Sequence, residues 1–370
     1  MAVDLVQISG TPRERGRQYG EAARDKIDKA VEWYAHSFAQ KAGLPWASVT
    51  EQTQGWVPLI EAYHPEILDE VRGIAEGANR TFHEILALNG RGELHNGNPF
   101  TAAEEECSSF AVLAEASGDG RVYCGQNWDW QCATAETVMM LRIEQPGKPT
   151  VIMQVEAGQV GRQGANSAGI ALNANGLGPR FGTGLGVPGP FVRRKALDSW
   201  NMHDALDAVF RVRQGFSTNI LLTHRDGFAI DIETTPGRHH WMYPDDGVLV
   251  HGNHFEAFVP EQINDSYKPF AVDSLYRVHR IRQGLRAVRD TTEPAKVRAV
   301  IRDTMSDHFG WPDSVCNHPN PNKPDTDRYQ TVASSLVDLT AGDYWLTSGN
   351  PCENGYDLIP VNLYSSASRL

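Results

Sequence analysis

Cys107 has the surroundings of a reactive thiol. The polar stretch before it, Asn96 to Glu106, holds Gly97, Pro99 and three successive glutamates and reads as an exposed linker. The residues after it, Ser109-Phe110-Ala111-Val112-Leu113, have the composition of a strand. A thiol at such a junction can attack the carbonyl carbon of Glu106 and move the acyl bond from nitrogen to sulfur. Water then releases a chain that begins at Cys107. The new α-amine, with an ordinary pKa of about 7.7–8, can take the proton of its own thiol, so one residue supplies both nucleophile and base.

A cysteine opening a strand is in most chains a small buried hydrophobe, so its partners decide the matter. Gln126-Asn127-Trp128-Asp129-Trp130 ends the return strand of the same hairpin. With a turn at Ser117-Gly118-Asp119-Gly120, Asp129 is expected back beside Cys107, where a carboxylate can hold the α-ammonium or orient the thiol. A thioester mechanism also needs N–H donors for its tetrahedral oxyanion. Asn166-Ser167-Ala168-Gly169-Ile170-Ala171-Leu172-Asn173-Ala174-Asn175 sets alternating asparagines at the end of a strand, and Ser217-Thr218-Asn219 precedes another. Asparagine is depleted from strands, which makes these placements informative.

The other reactive groups carry less. Cys124, Cys132, Cys316 and Cys352 bring the cysteines to an odd total of 5. Without a secretion signal, a disulfide framework is not expected. Cys316 and His318 have the spacing of half a metal site, but no second half follows at matching distance, so no metal is expected. The run Gly182-Thr183-Gly184-Leu185-Gly186-Val187-Pro188-Gly189 lacks the Lys-Ser/Thr of a phosphate loop and reads as a flexible loop near the pocket. No nucleotide, flavin or other cofactor is implied. A formal charge of −12 argues against general nucleic-acid binding. The arginine clusters (Arg13, Arg15, Arg17; Arg193, Arg194; Arg277, Arg280, Arg282) read mostly as solvated helix faces. No apolar run reaches the ~18 residues of a membrane-spanning helix. The first residues lack the basic start and apolar core of a signal peptide, so a cytoplasmic location is expected.

Residues 1–106 read as largely helical. Thr11-Pro12-Arg13-Glu14 and Thr81-Phe82-His83-Glu84 each have the form of a capping box. Ile27, Val31, Tyr34 and Phe38 form one apolar stripe, and Ile67, Val71, Ile74 and Ala78 another after Pro65. Beyond Cys107, hairpins are expected over 109–126, 138–155 and 219–233, with a strand at 169–173 and helices near 191–200 and 203–213. Residues 260–310 return to a helical pattern, and the last sixty or so alternate short apolar runs with turns. Helices, hairpins, helices and hairpins in this order suggest an α+β protein with antiparallel sheets and helices outside them.

Taken together, several segments resemble the isopenicillin N acyltransferase family, the acyl-coenzyme A:6-aminopenicillanate acyltransferases. These are N-terminal nucleophile hydrolases related to bile-salt hydrolases and penicillin V acylases. The resemblance runs from Gly10-Thr11-Pro12-Arg13-Glu14-Arg15-Gly16 and Ala87-Leu88-Asn89-Gly90-Arg91-Gly92-Glu93-Leu94 through Glu106-Cys107-Ser108-Ser109-Phe110 and Gly125-Gln126-Asn127-Trp128-Asp129-Trp130. It continues through Asn166-Ser167-Ala168-Gly169, His251-Gly252-Asn253-His254-Phe255 and Asp307-His308 to Gly349-Asn350-Pro351-Cys352. It implies a four-layer αββα sandwich, made as a precursor and cut between Glu106 and Cys107. Residues 1–106 would become the small chain and 107–370 the large one, both parts of one domain and still packed together. The family roles would make Cys107 the nucleophile, Asp129 its neighbour, Asn219 an oxyanion donor with Asn173 or Asn175 as the second, and Ser274 and Arg277 residues near the substrate.

The expected activity is hydrolysis or transfer at the C–N bond of a small N-acyl or aminoacyl amide, through a thioester on Cys107, with water or an amine as acceptor. One departure from the family stands at the cut. Familiar members have glycine before the cysteine, whereas Glu106 follows Glu104 and Glu105 here. A side chain restricts that backbone and nearby carboxylates disfavour a thiolate, so slow or conditional self-cleavage is expected. Two other readings compete: a thiol hydrolase that is not self-processed and uses His224, His251 or His254 as base, and a non-catalytic binding relative.

Overall fold

The computed structural model describes residues 4–95, 106–178 and 184–365. Most of the expected linker, with Glu104 and Glu105, lies outside the described residues, as do Gly182 and Thr183 of the glycine run.

Fourteen strands form two sheets among the described residues. In chain order they are β1 (Leu5–Ser9), β2 (Glu106–Val112), β3 (Tyr123–Gln131), β4 (Val138–Glu144), β5 (Val151–Glu156), β6 (Gly164–Asn166) and β7 (Ile170–Gly176). There follow β8 (Thr218–His224), β9 (Phe228–Thr234), β10 (His240–Met242), β11 (Val248–His251), β12 (Tyr329–Asp338), β13 (Asp343–Ser348) and β14 (Asp357–Leu358). The larger sheet runs β1-β4-β5-β6-β7-β8-β9-β10, and the smaller β11-β2-β3-β12-β13-β14. Every pairing is antiparallel except that of β1 with β4.

The central strands are buried on both faces, which explains apolar runs with little alternation, such as Val138–Ile143. One face of the smaller sheet packs on the larger. Its other face, through Phe110, Val112 and Leu336, meets Val278, Ile281 and Ile301 of the helices Ser274–Leu285 and Pro294–Met305. The N-terminal helices share the main core with the larger sheet through Tyr19, Ile27, Tyr34 and Phe38. The result is the expected αββα order, an α+β sandwich.

Both expected capping boxes form, at Thr11 with Glu14 and at Thr81 with Glu84. The helix at 260–310 starts later than the pattern implied: 260–273 is turns, and helices occupy Ser274–Leu285 and Pro294–Met305. Val187 bridges to Gln214, and a Cβ on Gly186 would strike the backbone of Gln214 and Gly215. The run is therefore packed backbone to backbone at Gly186 and Val187, while Gly184 and Leu185 are exposed.

The helices Pro12–Ala22 and Pro65–Ala78 cross closely because glycines face each other. A Cβ on Gly16 or Gly20 would strike the Glu70 or Ile74 carbonyl, and one on Gly73 or Gly77 the Arg13 or Arg17 carbonyl. This contact corrects the reading of the arginine clusters as solvated faces. Arg15, Arg193, Arg194 and Arg277 are all buried. Helical spacing turns Arg15, Arg194 and Arg277 inward, and a carboxylate meets each. Glu70 takes Arg15 at 2.8 Å and Arg194 at 2.7 Å, and Arg194 also reaches Asp198 at 2.9 Å. Burial alone would raise the Glu70 carboxyl; Arg194 and Arg15 outweigh it and hold the carboxyl below its ordinary value.

Replacing Glu70 by alanine takes the carboxylate from the buried Arg15 and leaves Arg194 with Asp198 alone, and should cost about 3–5 kcal/mol of stability. Urea unfolding of the variant beside the parent chain measures this, and a loss under ~1 kcal/mol would show that the network is not what holds the helices to the sheet.

Candidate active site

Strand register places the thiol. Cys107 stands opposite Trp128 and Glu106 opposite Asp129 in the β2–β3 pair. Side chains alternate along β2, so Cys107 and Ser109 face the larger sheet while Ser108 and Phe110 face the helices. Ser109 accepts from the Asn175 Nδ2 of β7 at 3.0 Å, and Phe110 packs on Val278 and Ile281. Cys107 is fully buried in the uncut chain.

Side chains from two other elements hold the backbone around Cys107. Its N–H donates to Asn253 Oδ1 at 2.9 Å, and its carbonyl accepts from Arg277 Nη1 at 2.8 Å. Arg277 also donates to Ser108 Oγ (2.6 Å), to Asn253 Oδ1 through Nη2 (2.8 Å) and to Asp273 Oδ2 (2.5 Å). Asn253 follows β11, whose His251 pairs with Ser109, and Arg277 lies on the Ser274–Leu285 helix. Ser274 accepts from the Asn253 N–H at 2.6 Å, and its hydroxyl bonds His254 Nδ1 at 2.7 Å. Gly252 permits this approach, since a Cβ there would strike Ser274 Oγ. Ser274 and Arg277, expected near a substrate, thus grip Asn253 and the nucleophile strand itself.

Asp129 lies inside β3, which continues to Gln131, rather than at the strand end. It stands opposite Glu106, so it faces the helices and not the side of the sheet that carries the thiol. Its Oδ1 accepts from Thr331 Oγ1 at 2.6 Å, while Oδ2 is buried with no hydrogen-bond partner among the described residues. Burial pushes the Asp129 carboxyl up to about 7, against Arg277 and the Thr331 hydroxyl. Glu106, half-buried, is pushed up to about 8 by burial and then by Asp273 and Asp129, with Arg277 and Lys323 opposing. Its carboxyl accepts from Asn317 Nδ2 at 3.2 Å. Arg277 is the cation common to these acids. Burial works against its charge, and Asp273, Asp129 and Glu106 more than restore it.

The three strand asparagines form a graded set. Asn175 reaches Ser109 and the His251 carbonyl, both at 3.0 Å, two residues along β2 from Cys107. Asn219 pairs with Asn175 across β7–β8; its Oδ1 accepts the Asn175 N–H at 2.7 Å and its Nδ2 donates to Asp231 at 2.7 Å. Asn173 bonds the buried Cys124 thiol, further along the sheet. Gln126 joins the sheets, its amide both donating to and accepting from the backbone of Ala174 at 2.8 and 3.0 Å.

The candidate histidine bases differ sharply. His251 has Nε2 on Glu233 at 3.0 Å and Nδ1 on its neighbour's carbonyl, Gly252 O, at 3.0 Å. Burial would lower it, but Asp231 and Glu233 raise it to about 10, which leaves it protonated. His224 ends β8, about 17 Å along the strand from Asn219, and its Nδ1 accepts from the Asp226 N–H. His254 is lowered, chiefly by burial, and is engaged with Ser274.

A narrow cleft of about 30 Å³ lies beyond Gly176 and Thr218, with Val187, Gly189, Arg193 and Phe216 among its walls. Gly176 connects it to the centre, because its carbonyl accepts from Asn253 Nδ2 at 3.0 Å. The residues Asn173, Asn175 and Asn219 stand out in the sequence for being asparagine in strands. Asn253, Asp273, Asn317 and Thr331 carry no such signal. Only the four-residue spacing of Asp273 and Arg277 on one helix turn hints at a pair. Residues that linear spacing leaves remote, His308 and Cys352, join Cys316 and His318 in one cluster.

Comparison with known proteins places this geometry. Residues 116–353 match the family described as acyl-coenzyme A:6-aminopenicillanic acid acyl-transferase, a span that begins after Cys107 and includes Asp129, Asn253 and Arg277. The acyl-coenzyme A:6-aminopenicillanic-acid-acyltransferase 40 kDa form of Emericella nidulans is 31% identical over 258 residues, 67% of this chain and 68% of its own. A variant of the conjugated bile acid hydrolase of Clostridium perfringens is similar in fold at a TM-score of 0.50 and 12% identity, over 70% of this chain and 95% of that one. The penicillin V acylase of Agrobacterium tumefaciens aligns at a TM-score of 0.42 and 15% identity, over 65% and 83%.

The raised carboxyls give the uncut chain a pH signature. Glu106 and Asp129 keep protons in the folded state that the unfolded chain has released. Their contribution to stability is full below the ordinary carboxylate range near pH 4 and is lost as pH rises through about 7 to 8. In a Cys107→Ala chain, stability should fall across that window, and Glu106→Gln should flatten the fall by up to about 1 kcal/mol per pH unit. Denaturant midpoints at a series of pH values report this. Identical profiles for the two chains would show that Glu106 titrates normally.

Proposed function

The chain belongs to the acyl-coenzyme A:6-aminopenicillanic acid acyl-transferase family, and from that membership and the grip on Cys107 we propose that it cuts itself before Cys107 and then works as an N-terminal-cysteine amidohydrolase or acyltransferase. The observation that carries the proposal is that side chains from two separate elements hold the N–H, the carbonyl and the next hydroxyl at Cys107. β11 pairs with β2 only as far as Ser109, so the buried N–H and carbonyl of Cys107 are met by Asn253 and Arg277 side chains in place of a neighbouring strand.

In the cut, the Cys107 thiolate adds to the Glu106 carbonyl carbon, the Cys107 nitrogen leaves as an amine after taking a proton, and a thioester joins Glu106 to Sγ. Water hydrolyses that thioester, giving the Glu106 α-carboxylate and a free thiol. The side chain of Glu106 is less of an obstacle than its charge implies, because a carboxyl raised to about 8 is largely neutral near pH 7 and imposes little repulsion on a thiolate. In turnover, the α-amine of Cys107 takes the thiol proton, the thiolate attacks the amide carbon of a small N-acyl or aminoacyl substrate, and the amine leaves with that proton. Water or a second amine then takes the acyl group. Asn253 Oδ1, already the acceptor for the Cys107 N–H, holds the new amine, and Asp129 Oδ2 is a buried acceptor suited to an ammonium. Asn219 is the preferred oxyanion donor, because only one of its two amide protons is taken, by Asp231, whereas Asn175 gives both of its own to Ser109 and the His251 carbonyl. The narrow cleft beyond Gly176 and Thr218 marks the side from which a substrate would approach, and it must widen to admit one.

The histidine-base reading fares worse here, because His251 is protonated and both of its nitrogens are engaged.

Intact-mass analysis of the wild type should find chains 1–106 and 107–370, with Cys107→Ala remaining whole. Quenching the wild type during turnover of an N-acyl amide panel should place an acyl adduct on the peptide that begins at Cys107, and Cys107→Ala should lower turnover at least about a thousandfold. An uncut wild type that still hydrolyses amides would sink the N-terminal amine's role. A cut protein with no adduct across the panel would favour a binding relative.

A further inference from the structure

Four side chains with no part in the site above converge at one end of the smaller sheet. His308 follows the Pro294–Met305 helix, Cys316 and His318 lie in the next loop, and Cys352 sits in the turn after β13. One ligand atom from each lies within 4.8 Å of all the others. His308 Nε2 and His318 Nε2 are 3.1 Å apart, and His318 Nε2 is 3.6 Å from Cys316 Sγ and 3.3 Å from Cys352 Sγ. The two sulfurs are 3.4 Å apart.

We propose that His308, Cys316, His318 and Cys352 form a structural zinc site. Zinc binds sulfur at about 2.3 Å and nitrogen at about 2.0–2.1 Å in a tetrahedron. The edges of that tetrahedron are then about 3.3 Å between nitrogens, about 3.6 Å between nitrogen and sulfur, and about 3.8 Å between sulfurs. The observed separations are close to these. Two imidazole nitrogens at 3.1 Å can share only one proton, and two thiols are weak donors. A cation at the common centre satisfies all four at once. Two thiolates balance its charge, and binding releases two thiol protons with no redox change. Mixed Cys and His ligands in a tetrahedral arrangement select zinc over magnesium or calcium. Four protein ligands leave no open position, which makes the role structural.

Surrounding groups fit the assignment. Asn350 Nδ2 donates to Cys316 Sγ at 3.4 Å and to the Asn317 carbonyl at 2.7 Å, and Glu353 lies 3.8 Å from the second nitrogen of His318. Such outer contacts orient metal ligands. A disulfide between Cys316 and Cys352 is the competing use of the same sulfurs, but it leaves the convergence of two imidazoles on the same point unexplained. The site also has a mechanical position. Asn317, between two of the ligands, donates its backbone N–H to Thr331 Oγ1 at 3.0 Å and its side-chain amide to Glu106. The metal therefore fixes a loop that touches both the residue before the nucleophile and the residue holding Asp129.

The test uses the full chain, purified without added metal and with any affinity tag removed. Elemental analysis by mass spectrometry should find about one zinc per chain. The double variant His308→Ala/Cys352→Ser, which alters the two exposed ligands, should lose it. The apo wild type reloaded with cobalt(II) should show the intense visible bands of a tetrahedral site with thiolate charge transfer, and the variant should not. These readouts do not depend on turnover or on cleavage. Wild type that holds no more zinc than the variant and gives no tetrahedral cobalt spectrum would overturn the proposal, as would a thiol count showing Cys316 and Cys352 oxidised to each other in protein that takes up no metal.

Discussion

The guanidinium of Arg277 is the constraint on which the centre of this protein depends. It is a fully buried cation with hydrogen bonds to Asp273, Asn253, Ser108 and the carbonyl of Cys107. A lone buried charge would be prohibitively costly, so the acids around it are required rather than incidental. Asp273 neutralises it directly, and the fields of Asp129 and Glu106 add to this. Burial raises Asp129 and Glu106, neighbouring carboxylates add to this, and one cation shared among three acids does not offset it. Helix, strand and cysteine are fixed relative to one another by a planar fork with several donors, a task to which lysine is poorly suited.

Much of the architecture is legible in the residue pattern. Capping boxes at Thr11 and Thr81, the stripe through Ile27 and Tyr34, and the hairpin that carries Cys107 each rest on local rules, and local rules survive folding. Pairings between distant segments are not legible in this way. Arg15 looks like its neighbours Arg13 and Arg17, because nothing local tells an arginine that Glu70 will meet it from another helix. The hairpin pattern brings Asp129 back beside Cys107 but does not say which face it takes, and the register opposite Glu106 turns it towards the helices. A period of two residues turns a small error of register into a complete change of surroundings. Asn253 and Thr331 lie 146 and 202 residues from their partners Cys107 and Asp129, beyond the reach of any spacing argument. His308 and Cys352 escape for the same reason.

The segment ahead of Cys107 belongs to the core as fully as the strands behind it. β1 extends the larger sheet beside β4, and Tyr19 and Tyr34 reach Glu156 at the end of β5. The glycine-lined crossing of Pro12–Ala22 with Pro65–Ala78 sets that layer at a separation that side chains would forbid. A break before Cys107 would leave these contacts intact.

Chain order has a consequence for the nascent protein. The groups that grip Cys107 are all synthesised long after it: Asn253, then Arg277, then Thr331 against Asp129. While the ribosome is still working through the middle of the chain, the thiol has been made but its surroundings have not. If the bond before Cys107 is cut as proposed, the groups around it are complete only once the last third of the chain has been made and has docked.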